Sequence, residues 1–339
     1  MKRFLKIFLV FFIGTGISMG LLFFTPILNP PRGTKLLIRS DSDFNSLMDQ
    51  LRNEPWMRLS AVFEATARLS GLPQKIRPGR YDMDDAKSLF GLLRKLHSGK
   101  RSEVRFVITK LRTKEDLAGK IGAQFEADSA EIIHFLLSQD SLRQYGVDTH
   151  TVMTMMIPNS YLCWWNGPAR KIMDRMHQQS QLFWKGQRGE KAKKLGLSPM
   201  EVYILASIVE EETTRSADKG KVARVYLNRL KKGMKLEADP TVKYALRQFG
   251  LTRIYHGHLE IESPYNTYFK TGLPPGPICT PSIETIEAVL NAPPADHLFF
   301  VAKPDFSGYS NFASTYPEHL KYARQYQEAL NKLQAQQHP

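Results

Sequence analysis

An unbroken uncharged stretch from Ile7 to Pro31, preceded by Lys2, Arg3 and Lys6, limits what the N-terminus of this chain can become. Its apolar part, IFLVFFIGTGISMGLLFF, is long enough to cross about 27 Å of hydrocarbon as a helix. A cleaved signal peptide is the competing reading, but Phe23, Phe24 and Pro26 stand where small cleavage-site residues belong, so an uncleaved anchor is preferred. The cationic tip favours a cytoplasmic N-terminus, although Arg32, Lys35 and Arg39 on the other flank weaken the asymmetry. The expectation is a single-pass membrane protein whose later domains face the periplasm or the cell exterior. No second apolar run of that length follows, and no glycine-rich phosphate loop appears.

The 339 residues exceed what one core organises, so two folded domains are expected after the anchor. With 42% hydrophobic and 24% charged residues the chain has enough apolar surface to fold. A net charge of +14 favours polyanionic partners: nucleic acid, anionic lipid or an acidic wall polymer. Nucleic acid is set aside, because the densest basic run, Lys185 to Lys194, has no aromatic residues interleaved to stack bases. The two cysteines, Cys163 and Cys279, do not make a disulfide framework, and one bridge or two buried thiols both fit.

Along the exported part, Lys35 to Arg39 reads as a strand, and Asp43 to Leu51 and Trp56 to Leu69 as helices. Asp84 to Leu96 has helical spacing after a Pro78-Gly79 turn, and Val104 to Ile108 reads as a strand entering the next unit. Helices follow around Lys114 to Ala123, Ala130 to Leu137 and Ile172 to Lys185. An aromatic loop, Ile157 to Pro168, interrupts them. That loop is either a hydrophobic plug or a saccharide platform made by Tyr161, Trp164 and Trp165.

Ser198-Pro-Met-Glu201 is a strong helix start, with Ser at the N-cap, Pro in the first turn and Glu closing a capping box. At about 100° per residue Leu205, Ile208 and Val209 share a face, and Glu212 falls between the last two in projection. Glu210 and Glu211 fall to either side. A carboxyl where a leucine would pack loses hydration when ionised, so its pKa rises and it holds the proton a general acid needs. The competing reading is a solvated acidic cluster paired with Arg215, Lys219 or Arg224. Further on, Lys221 to Lys232 reads as an amphipathic helix, and Asp239-Pro240 as an N-cap with a first-turn proline. His256 and His258 have the spacing of a loose metal pair without a third ligand and are read as solvated.

The ordered motifs Ala206-Ser-Ile-Val-Glu-Glu-Glu-Thr213, Lys221-Val-Ala, Asn228-Arg229-Leu230, Gly233-Met-Lys-Leu236 and Asp239-Pro-Thr-Val-Lys-Tyr244 form one half of a pattern. Tyr265-Asn-Thr-Tyr268, Thr271-Gly-Leu-Pro-Pro-Gly-Pro-Ile278 and Thr280-Pro281 form the other. Together they resemble the endolytic murein transglycosylase family, the YceG-like proteins, best over Glu201 to His319. The resemblance implies an α+β chain. It comprises a cytoplasmic tip and N-terminal transmembrane helix (1–31), a small LysM-like α+β module (32–102) and a larger mixed α/β catalytic domain (103–335).

The resemblance also implies a lytic transglycosylase that cleaves between N-acetylmuramic acid and N-acetylglucosamine inside glycan strands. It leaves 1,6-anhydro ends and terminates nascent strand elongation. The partners implied are peptidoglycan strands, the membrane through the N-terminal helix, and cell-wall synthases. No cofactor or metal is called for. The family's essential acid is the second glutamate of an Ile-Val-Glu-Lys-Glu-Thr motif and maps onto Glu212. The first maps onto Glu210, and Glu211 stands where the family has lysine. Ala238 replaces a common hydroxyl residue, and the Glu-Gly pair often found before the catalytic part is absent after Ile108. Glu210, Asn228, Asp239, Thr241, Tyr265, Asn266 and Tyr268 are the expected substrate-binding residues. The rival class is a non-catalytic, membrane-anchored glycan-binding scaffold for cell-wall synthases.

Overall fold

The computed structural model describes residues 20–337 and is an α+β chain of two units. The first runs to Arg105 and takes in Gln124–Ala127 and Leu162–Pro168. The second holds Phe106–Ala123, Asp128–Tyr161 and everything from Ala169 onward. A single sequence boundary at residue 102 does not anticipate the two returning segments.

In the first unit the order is β1 (Lys35–Ile38), α1 (Phe44–Arg52), α2 (Ser60–Leu69), β2 (Gly79–Asp82) and α3 (Leu89–Ser98). The strands pair antiparallel, Lys35 opposite Asp82 and Ile38 opposite Gly79. Alternation turns Leu36 and Ile38 of β1 and Tyr81 of β2 into one core with Leu47, Leu51, Phe63 and Leu92. Asp43 caps α1 by accepting from the Ser46 N–H at 2.8 Å, and Ser88 caps α3 from Gly91 at 3.0 Å. Helix α2 begins at Ser60, because residues 53–59 are spent on turns.

The expected N-terminal transmembrane helix is corrected here. Among the described residues no helix is long and apolar enough to cross a membrane. Helical backbone at residues 20–24 stops at Thr25, ahead of Pro26, which cannot continue it. Beyond that break Leu28 is buried in the core of the first unit, and Phe23 and Ile27 pack against the same core. Of the segment assigned to the anchor, Leu28 is thus a core residue of a folded unit and Phe23 and Ile27 are half-buried against it, while Leu21, Leu22 and Phe24 stay exposed. Residues 1–19 of the expected anchor lie outside the described residues.

Strand β3 (Glu103–Val107) is followed by α4 (Lys114–Gly122), α5 (Ser129–Leu137), α6 (Gln139–Arg143) and β4 (Ser160–Trp164), which pairs with β3. The aromatic loop therefore contains a strand. Its period of two buries Tyr161 and Cys163 and exposes Leu162 and Trp164. Cys163 and Cys279 are both buried and form no disulfide.

Then come α7 (Ala169–Trp184), α8 (Gln187–Lys194), α9 (Pro199–Glu212), α10 (Ser216–Lys231), α11 (Asp239–Ala245), α12 (His256–Leu259) and α13 (Ile283–Leu290). Strands β5 (Phe299–Ala302) and β6 (Ser310–Ala313) and the long α14 (Tyr316–Gln337) close the chain. Helix α9 is the axis of the second unit. Ser198 and Glu201 form the capping box, with Pro199 in the first turn. Val202 to Val209 are then buried without interruption, enclosed by α10, α13 and neighbouring segments. The polar residue in that run, Ser207, donates to the Ile204 carbonyl at 2.7 Å and accepts from the Ile278 N–H at 3.0 Å. It thereby fastens the Thr271–Ile278 loop to the helix. The same loop needs glycine at Gly276, where a Cβ would lie 2.1 Å from the His150 carbonyl oxygen.

Candidate active site

Helix α9 ends in three consecutive glutamates, and the fold gives each a different fate. Glu210 is occupied structurally. Its Oε2 accepts from the Ser282 hydroxyl at 2.9 Å and from Thr285 Oγ1, and Lys219 Nζ lies 3.4 Å away. It ties the first turn of α13 to the end of α9. Glu211 pairs with Lys110 at 2.8 Å and Arg112 at 3.1 Å. Burial opposes its charge, but the hydrogen bonds and charges of Lys110 and Arg112 outweigh burial and hold its pKa below the usual carboxylate value.

Glu212 has no cation within ion-pair distance among the described residues. It is half-buried, and the buried Tyr226 hydroxyl donates to its Oε2 at 3.3 Å. Burial first, and the negative charge of Asp239 second, push its pKa up to about 7; the Tyr226 hydrogen bond and Lys243 act weakly in the other direction. A carboxyl with that pKa near neutrality passes a proton in either direction.

Asp239 and Tyr268 sit beside Glu212. Asp239 is the first residue of α11, with Ala238 at the N-cap, so its side chain is free of the capping task expected of it. It accepts from the Tyr268 hydroxyl at 2.6 Å. Burial and the bond to Asp239 push the Tyr268 pKa well up, so Tyr268 remains a proton donor. Tyr265 packs against Tyr244 at 4.7 Å and points its hydroxyl toward His150 Nδ1 at 3.5 Å.

The other expected binding residues are engaged in holding backbone. Asn228 donates to the carbonyls of Ala295 and His297 at 2.8 and 2.9 Å. Asn266 donates to Leu259 and Ile261, both at 2.9 Å. Thr241 donates to Ala238 at 2.6 Å and meets Thr267 at 2.9 Å. Asn228→Ala is expected to lower stability by about 1–3 kcal/mol through the unpaired carbonyls. The check is a lower urea midpoint at unchanged slope, with the pH profile of any activity unmoved.

Sequence reading did not single out Tyr226, Lys243, Lys110 or Arg112. The signal for Tyr226 is in the sequence: it lies four residues after Val222 on the apolar stripe of α10, and a buried tyrosine hydroxyl must find a partner. Arg112, Glu211, Lys243 and Tyr244 line a small cavity of about 50 Å³ closed by Pro240, Phe249 and Ile278. His256 is exposed, and no group of three or more potential metal-ligating side chains occurs among the described residues.

The sequence matches the YceG-like family over residues 36–325. The chain belongs to that family. Among YceG-like relatives, the endolytic murein transglycosylase of Bacillus subtilis (strain 168) is 29% identical over 313 residues, 87% of this chain and 85% of its own. That of Streptococcus pneumoniae serotype 2 is 36% identical over 114 residues, which is 32% of this chain and 21% of the relative. The crystal structure of a putative yceG-like protein from Listeria monocytogenes matches with a TM-score of 0.54 at 25% identity, over 85% of this chain and 99% of that one.

Proposed function

We propose that this chain is an endolytic lytic transglycosylase of murein, working at the cell wall, and that Glu212 is its acid and base. The observation that carries the proposal is the carboxyl of Glu212. It is half-buried, has no ion-pair partner among the described residues, is bonded by Tyr226 and is poised near pH 7. That carboxyl stands at the end of the central helix of a YceG-like domain whose relatives bear the name endolytic murein transglycosylase.

In this mechanism Glu212 gives its proton to the glycosidic oxygen between N-acetylmuramic acid and N-acetylglucosamine, and the bond to C1 breaks. The substrate's own acetamido oxygen meets the developing positive charge. The carboxylate then takes the proton of the C6 hydroxyl, whose oxygen closes on C1 to give the 1,6-anhydro end. No water is consumed, and Glu212 finishes protonated. Tyr226 orients the carboxyl, Asp239 raises its proton affinity, and Tyr268 holds Asp239 in place. The first unit, two antiparallel strands bracketing two helices, serves as the LysM-like glycan-binding module, and synthases extending the strand are the expected protein partners.

Purified murein treated with the protein and separated by mass is expected to yield anhydro-ended fragments and shorter strands. Reducing ends would make the enzyme a hydrolase. Wall binding with unchanged strand length would make it a scaffold. The pH dependence gives an independent check. Activity needs protonated Glu212 and falls as pH rises through about 7. Asp239→Asn removes the negative charge that raises this pKa, so the alkaline limb of the pH–rate profile is expected to move to lower pH. A limb that stays in place removes Asp239 from the account.

A further inference from the structure

The first unit carries a basic cleft that plays no part in the chemistry above. Strand β2 ends at Asp82, and the chain returns through α3 and the left-handed Gly99 to Lys100, Arg101 and Ser102, where the Ser102 N–H donates to the Arg80 carbonyl at 2.7 Å. These segments enclose a cleft of about 360 Å³ whose charged lining is Asp82, Asp85, Arg94, Lys95, Lys100 and Arg101. Both carboxylates are already paired. Asp82 lies 2.6 Å from Lys35, and Asp85 is bound to Lys95. Among the described residues Arg94, Lys100 and Arg101 have no carboxylate within ion-pair distance. Three cations therefore face the cleft without an ion-pair partner among the described residues, and Asp85, already bound to Lys95, feels Lys100 only at longer range.

One of the three is held rigidly beside an aromatic face. The Arg101 guanidinium donates to the Pro78 carbonyl at 3.2 Å and lies 5.0 Å over the ring of Trp164. Its side chain runs along the backbone of Gly79, where a Cβ would come within 2.5 Å of Arg101 Cδ. Trp164 is 45% exposed, whereas Tyr161 and Trp165 are buried. A fixed guanidinium favours carboxylate oxygens. An accessible indole face favours the apolar face of a sugar ring. Together they fit a saccharide chain that carries carboxylates.

We propose that this cleft binds the carboxylates of the peptide stems on a murein strand, with Arg94, Lys100 and Arg101 as the recognising groups and Trp164 covering an adjoining sugar. The proposal rests on the reading of murein as substrate, and it concerns binding and not cleavage. The test uses the full chain carrying Glu212→Gln, so that bound strands stay intact, and measures co-sedimentation with purified murein. Adding Arg94→Glu and Lys100→Glu is expected to weaken binding about tenfold, while binding to murein whose carboxylates have been amidated is the same with and without these changes. Thermal unfolding separates a folding defect from a binding defect, and Lys100→Gln alone supplies a milder variant that keeps the fold.

Unchanged sedimentation of the doubly reversed variant on native murein overturns the proposal. Equal weakening on native and amidated murein overturns it too, by assigning the loss to something other than carboxylates. Failure of the parent reading shows elsewhere, as absence of anhydro products from the chain with Glu212 intact.

Discussion

Glu212→Gln is expected to cut the release of anhydro-ended fragments from murein by about 10²–10⁴-fold, the usual contribution of a positioned general acid, while leaving the protein folded. The amide keeps the shape of the carboxyl and still accepts from Tyr226, but it has no proton to give at neutral pH. Stability should move the opposite way from activity. The folded pKa of Glu212 is about 7 against 4.5 for an unperturbed glutamate. Its contribution to stability is therefore complete below pH 4.5 and is lost as pH rises through 7. At 1.36 kcal/mol per unit the loss reaches about 3 kcal/mol, reduced by the partial exposure of the group. Urea unfolding at pH 5 and pH 8.5 should show Glu212→Gln close to the parent at the lower pH and more stable at the higher. Equal midpoints at pH 8.5 would mean that the carboxyl ionises without cost and is not the poised acid. Retained product release would end the assignment directly.

Glu210→Ala is expected to act on the fold, although it is only two residues away. It leaves Lys219, whose side chain is 6% exposed, without its buried partner, and it removes the acceptor of Ser282 and Thr285 at the start of α13. Breaking a buried pair by deleting one member costs about 3–5 kcal/mol. Glu284 lies 3.3 Å from Lys219 and retains part of the pairing, which favours the lower end. For a domain of this size the melting temperature should fall by roughly 6–12 °C. Activity assayed well below that temperature should survive in large part, since no atom of Glu210 is needed for proton transfer. A melting temperature equal to the parent's would mean that α13 is held without this contact.

These two residues show how far the sequence could be read and where it stopped. The start of α9 was plain, because a capping box and a first-turn proline act within four residues. The end was not. The projection separated Glu212 from its neighbours by assuming one buried face, yet Val202 to Val209 are buried on every side. The three glutamates differ through partners brought from far along the chain: Ser282 and Thr285 for Glu210, Lys110 and Arg112 for Glu211. Such partners are set by tertiary packing and leave no local pattern. The same applies to Asn228, Thr241 and Asn266, whose polar side chains look alike in sequence whether they meet a sugar or a carbonyl. The apolar N-terminal stretch was misjudged at its C-terminal end because hydropathy does not distinguish lipid from a protein core, and Leu28 enters the latter. Strand β4 was masked by its aromatic residues, although the alternation of Tyr161 and Cys163 with Leu162 and Trp164 was present.

That Glu212 has no ion-pair partner among the described residues, and feels Lys243 only at longer range, has a consequence for anyone who would redesign this protein. Two of the three glutamates are ion-paired within a single helical turn, so the fold has the means to settle such charges, yet it gives the third only the more distant Lys243. A lysine in place of Asp239 would complete the set. The resulting protein should tolerate alkali better than the parent, and its carboxyl would surrender its proton to solvent before any sugar arrived. Selection for hardiness alone would therefore drift toward an inert enzyme, and screens for improved variants of this chain need turnover as a second criterion from the first round.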